Sequence, residues 1–135
     1  MIVLDSSFLI GFYNERDVHH QAASSLMDRF LAGAWGRGLL LEYVFLETES
    51  VLLMRRDLSV AVRVGRILLD AGELDFVPGS DLFLDSWDCF CNQRRTRLSF
   101  VDAAVANAAR KRADGQLLSF DGEFRKVAGL HVNPQ

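Results

Sequence analysis

Short apolar runs alternate along the chain with longer stretches in which apolar positions recur every three or four residues. Ile2-Val3-Leu4 is a β-rich run that stops at Asp5-Ser6-Ser7, the pattern of a buried strand feeding a helix cap. In residues 17–32 the apolar positions Val18, Ala22, Leu26 and Phe30 repeat every four residues, which is helical spacing. The glycine-rich segment 33–38 ends that pattern. Residues 39–41 then read as a second strand and 43–56 as a helix rich in Leu, Met and Glu. Asp57 or Ser59 caps a further helix that runs to about residue 71, where Gly72 closes it. A third strand is predicted over 74–77, ended by Pro78-Gly79, with helix restarting at Ser80 or Asp81. Ser99-Phe100-Val101-Asp102 resembles a capping box and opens the Ala-rich stretch 103–109. Residues 117–120 supply a fourth strand, Asp121-Gly122 a turn, and 130–132 a short edge strand. Strands alternating with helices predict an α/β fold around a mostly parallel sheet of four to five strands.

Composition narrows the class. Half of the 135 residues are apolar, enough for one core, so residues 1–135 are expected to form a single domain. A charged fraction of 24% and a net charge of -3 exclude both a disordered chain and a strongly basic nucleic-acid binder, so any polyanion must be held locally. Cys89 and Cys91 are too few and too close for a disulfide framework, and no cationic leader with an apolar core precedes the first strand. No apolar run approaches the ~18 residues of a membrane span. The expectation is a soluble protein of the reducing cytoplasm, with no membrane partner.

In a parallel sheet the crevice that accepts ligands lies beyond the carboxyl ends of the strands. Asp5 and Asp121 fall at such ends, and Asp102 lies in the first turn of a helix expected to begin on the same rim. Glu47 sits within an apolar helix. Carboxylates that converge either rise in pKa or require a cation between them, and the natural one is a hard dication such as Mg²⁺ or Mn²⁺. Such ions favour phosphodiester chemistry, in which activated water replaces a protein nucleophile. Each acid also has a structural role open to it. Asp5 and Asp102 are suited to capping helices and Asp121 to a turn, while Glu49 has neighbours as apolar as those of Glu47 and periodicity does not choose between them. His19 and His20 diverge on a helix and lack a third ligand, which suits a surface or capping role better than zinc. Cys89 and Cys91 read as packing residues. Arg94, Arg95 and Arg97 form a solvated loop or contact phosphate, and Arg110, Lys111 and Arg112 suit a helix C-terminus.

Four segments together resemble the PIN-domain family, and in a chain this short its VapC-type toxins. They are Ile2-Val3-Leu4-Asp5-Ser6-Ser7, Phe45-Leu46-Glu47-Thr48, Leu98-Ser99-Phe100-Val101-Asp102-Ala103 and Leu118-Ser119-Phe120-Asp121-Gly122-Glu123-Phe124. The resemblance implies a three-layer PIN-like fold and a metal-dependent endoribonuclease, the toxin of a type II toxin-antitoxin pair. It implies RNA as substrate, a homodimer and a small cognate antitoxin. Asp5 and Asp102 would be the principal ligands of Mg²⁺ or Mn²⁺, Glu47 a ligand or orienting carboxylate, and Asp121 a ligand directly or through water, with Glu123 standing nearby as an alternative last acid. Ser6 and Ser119 would support them by hydrogen bonds. The other reading is a catalytically inactive PIN-like module that binds RNA or protein, against which the four intact acids argue.

Overall fold

In the computed structural model, which describes residues 1–135, five strands form one parallel sheet in the order β3-β2-β1-β4-β5. β1 (Ile2–Leu4) is central, between β2 (Gly38–Leu41) and β4 (Gln116–Leu118), and β3 (Leu74–Val77) and β5 (His131–Asn133) form the edges. Every residue of β1 and β2 is buried, which explains why they read as continuous apolar runs rather than alternating ones. The strand order reverses at β1, because the chain builds β2 and β3 to one side and β4 and β5 to the other. That reversal opens a crevice beyond the carboxyl ends of β1 and β4, whose last residues, Leu4 and Leu118, are partners in the ladder.

Six helices flank the sheet: α1 (Ser6–Tyr13), α2 (His20–Leu31), α3 (Glu42–Arg55), α4 (Leu58–Asp70), α5 (Phe83–Cys91) and α6 (Phe100–Arg112). α1 packs on α2 and α3, and α3 on α4, while α5 packs on α6, which in turn lies against β1 and β4. Every residue from 103 to 109 of α6 is buried. Five of those seven are alanines, so the helix comes close to its neighbours on all sides without leaving voids. Two glycines make comparable close approaches. A Cβ on Gly38 would lie 2.6 Å from Leu74 Cδ2 and 2.9 Å from Phe30 Cζ. Gly115, at φ +80°, lets its own chain reach Gly129, whose carbonyl oxygen would stand 2.1 Å from an added Cβ.

The sequence-based elements are present with shifted ends. The helix expected from residue 17 begins at His20, because Asp17 holds the preceding turn by accepting from His19 N–H at 2.9 Å. Asp57 is the cap of α4, accepting from Val60 N–H at 2.8 Å. Helix does not restart at Ser80 or Asp81: a single 3₁₀ turn (Gly79–Asp81) comes first and α5 follows from Phe83. The fourth strand ends at Leu118 rather than 120, which leaves Ser119, Phe120 and Asp121 in the following loop and Asp121 in the crevice. Cys91 is exposed and does not pack, whereas Cys89 is half-buried. No helix is long and apolar enough to cross a membrane.

Candidate active site

Asp5 follows β1 directly, and its N–H continues the ladder by donating to Leu118 O at 3.0 Å. It occupies the cap position of α1, yet its side chain makes no cap hydrogen bond. Instead Oδ2 accepts from Ser7 Oγ and from Ser119 Oγ, each at 2.7 Å. The residue is only 3% exposed. Burial pushes its pKa up, and the hydrogen bonds from Ser119 and Ser7 oppose the rise.

The two serines also reach the loop after β4. Ser7 Oγ accepts from Phe120 N–H at 2.9 Å, and Ser119 Oγ accepts from Asp121 N–H at 3.0 Å. The β1 and β4 ends are thereby tied into one unit around the Asp5 carboxylate. Asp121 Oδ1 accepts from Glu123 N–H at 2.9 Å, capping the 3₁₀ turn Gly122–Lys126, so its turn role and its place in the crevice hold together. Glu123 turns away to pair with Lys126, which pulls its pKa down.

Glu47 projects from the middle of α3 and accepts from Ser6 Oγ at 3.1 Å. Its pKa is raised by burial and further by Asp5 and Asp121, against a hydrogen bond from Ser6. Glu49, two residues on, faces α4 at Gly65, and its Oε1 has no hydrogen-bond partner. Residues two apart on a helix point in nearly opposite directions, so only one of this pair can face the crevice. Asp102 lies in the first turn of α6, where Ser99 Oγ caps the helix by accepting from Asp102 N–H at 3.1 Å. The Asp102 carboxyl is pushed up to about 6, first by burial and then by Asp5, Asp121 and Glu47. The four acids line one cleft of about 420 Å³.

That cleft holds residues the sequence reading did not assign to it. Arg55 contributes a guanidinium, 3.7 Å from Asp17 Oδ2, and His19 lines the rim with its ring stacked on Phe120. A signal for Arg55 was present, since Glu47, Val51 and Arg55 are spaced four apart and share one face of α3. Arg94 and Arg95 lie elsewhere, lining a second cleft of about 520 Å³ with Arg110, Lys111 and Lys126. Arg97 is near Glu123. None of the three loop arginines lines the acidic cleft.

Nowhere do three Asp, Glu, His or Cys side chains make a closed coordination shell. The donor set nonetheless suits a magnesium-like ion, which keeps several waters and takes one or two carboxylates together with substrate phosphate oxygens. Burial, joined by repulsion from Asp5, Asp121 and Glu47, lifts Asp102 to about 6, and a cation bound among these carboxylates would relieve that condition.

The parallel five-stranded sheet with acids gathered at its reversal point belongs to a defined class: a PIN domain model matches residues 2–130, and the chain is a member of the PIN-domain family. Among its relatives is the 23S rRNA-specific endonuclease VapC20 of Mycobacterium tuberculosis, 27% identical over 135 residues that cover both chains completely. The crystal structure of that protein, described as a sarcin-ricin loop cleaving toxin, superposes with a TM-score of 0.83 at 26% identity, covering 99% of this chain and 100% of the other. The structure of VapBC2 from Rickettsia felis bound to a DNA fragment from its promoter shares the fold, with a TM-score of 0.69 at 13% identity over 98% of this chain and 97% of that one.

Proposed function

We propose that the protein is a Mg²⁺- or Mn²⁺-dependent endoribonuclease and the toxin half of a type II toxin-antitoxin pair. The observation that carries this reading is the convergence of Asp5, Glu47, Asp102 and Asp121 in one cleft, with burial and repulsion lifting Asp102 to about 6. Asp5 and Asp102 would hold the cation, with Glu47 and Asp121 beside them as ligands directly or through water. When bound, the ion supplies a lowered pKa for water and charge stabilisation at the phosphate under attack. The chain's own residues do the rest. Ser7 and Ser119 favour the ionised form of Asp5 against its burial and aim the carboxylate, and Ser6 fixes Glu47. Arg55, the cation among the cleft's lining residues, offers a contact to a phosphate approaching an otherwise anionic surface.

The relative described as a toxin of M. tuberculosis supports the toxin assignment and makes ribosomal RNA the first substrate to test. A cytoplasmic location agrees with that substrate. A homodimer is supported by the exposed apolar side chains Leu53, Met54, Leu58 and Val62 along α3 and α4, and a small antitoxin is its expected companion.

The test is incubation with ribosomes and with deproteinised total RNA, mapping new 5′ ends, for the native protein, Asp5→Asn and Asp102→Asn. Discrete cleavage that needs Mg²⁺ or Mn²⁺ and disappears in both variants is expected. Cleavage that persists in excess chelator, or RNA binding without any cutting by the native protein, would overturn the assignment.

A further inference from the structure

The rim of the acidic cleft carries a flat aromatic pair. The His19 and Phe120 rings lie 4.3 Å apart at an interplanar angle of 4°. His19 is exposed and lines the cleft that holds the four acids, and Phe120 is the one aromatic ring stacked on its imidazole. The His19 ring is positioned by its stack on Phe120 and by a fixed backbone. The backbone N–H donates to Asp17 Oδ1 at 2.9 Å and the backbone carbonyl accepts from Ala23 N–H at 2.8 Å. Its neighbour His20 bonds through Nδ1 to Gly11 O at 2.9 Å, fixing the start of α2 against α1. Gly11 lies beneath the pair, where a Cβ would stand 3.5 Å from His19 Cβ and 3.6 Å from Phe120 Cε2.

The pair is also in register with the chemistry. Phe120 N–H donates to Ser7 Oγ, the same hydroxyl that donates to Asp5, so the platform and the first acid share one hydrogen-bonded support. Asp17, which holds the His19 backbone, is the residue that Arg55 approaches. A flat, supported π-face beside a guanidinium is the combination that receives one unpaired nucleobase and its phosphate.

We infer that His19, braced by Phe120, is a stacking platform for an unpaired nucleobase of the RNA, next to the bond the acids address. The inference rests on the ribonuclease reading and goes beyond it by giving His19 the seating of one unpaired base. Bases within a duplex already stack on each other and present no free face.

Fluorescence of 2-aminopurine tests it. Stem–loop RNAs carrying the probe at each loop position in turn, or in the stem as control, are mixed with the native protein, His19→Ala or His19→Phe in Mg²⁺, and emission is read before products accumulate. One loop position should be quenched by the native protein and by His19→Phe but not by His19→Ala, whose Kd should rise about tenfold. No quenched loop position, quenching that persists in His19→Ala, or a His19→Phe protein that behaves like His19→Ala would overturn the platform. Gels of the same samples separate the two ideas. Quenching without cleavage removes the nuclease reading and leaves the platform, and cleavage without quenching does the reverse.

Discussion

The Ser119 hydroxyl joins two of the acids, donating to Asp5 Oδ2 at 2.7 Å and accepting from Asp121 N–H at 3.0 Å. Burial raises the pKa of Asp5 and such donors oppose the rise, favouring the ionised form that a dication binds. Ser119→Ala removes one donor and leaves the Asp121 N–H without its acceptor. Its Mn²⁺ affinity should fall about 10- to 100-fold, while Ser119→Thr, which keeps the hydroxyl, should retain most of it. Isothermal titration calorimetry measures both. Equal affinity in Ser119→Ala and the native protein would reduce Ser119 to a packing residue.

Asp102 sets the expected pH response of the metal-free protein. Its carboxyl rises from 3.8 to about 6 on folding, so between those values the folded chain binds more protons at this site than the unfolded one. The contribution to stability is therefore full below the unfolded value and is lost as pH climbs through about 6. Asp5 and Glu47, whose pKa values are also raised, act in the same direction. Thermal unfolding in EDTA should show Asp102→Asn gaining on the native protein as pH goes from 4 to 7.5, with the gap widest above 6. Mg²⁺ at pH 7.5 should raise the Tm of the native protein more than that of Asp102→Asn. A gap that does not change with pH would mean that folding does not raise the Asp102 carboxyl.

The strands and helices were legible because burial writes itself into the local pattern. β1 and β2 are buried on both faces and read as unbroken apolar runs, and Asp57 and Ser99 announced the starts of α4 and α6. Asp5 and Asp121 were legible because they follow strands, and the parallel topology then requires both to open on one rim. Glu47 was not separable from Glu49 by periodicity, because both have apolar neighbours. What divides them is α4, which takes Glu49 against Gly65 and leaves Glu47 to Ser6. His19 was hidden for a different reason. Its partner Phe120 is a hundred residues away, and no local spacing encodes a stack between a turn before α2 and a loop after β4. Nearness in sequence to Asp102 is a weaker guide to place, since Arg94 and Arg95 line a separate cleft from the acids.

The division between the two glutamates is itself testable. Glu47→Gln removes a charge from the acid cluster and should lower RNA cleavage by about 100-fold or more, a loss in kcat typical of a displaced catalytic group. Glu49→Gln exchanges a partly buried carboxyl with an unpartnered oxygen for a neutral amide of the same shape, so activity should stay within about threefold and Tm should hold or rise. Rates and melting curves on the two variants decide it. The reverse ranking would mean that the face of α3 turned to the cleft has been misassigned.

Gly115 links the end of α6 to β4, the strand that leads into Ser119. It has φ +80°, its carbonyl accepts from His131 N–H at 2.7 Å, and an added Cβ would stand 2.1 Å from Gly129 O. Because that obstacle is backbone, relief requires β5 to move from β4, and with it the Ser119 N–H bond to Asn133 O. Gly115→Ala should therefore cost on the order of 3 kcal/mol, from a left-handed backbone and an overfilled contact together. For a chain of this length that is a Tm loss of roughly 10 °C. Gly33→Ala provides the control, since Gly33 has φ +90° with nothing within 4 Å of the added carbon. It carries the backbone strain alone and should cost about 1 kcal/mol. If calorimetry found equal losses at the two sites, the close approach of Gly115 to Gly129 would contribute nothing to holding β5 in place.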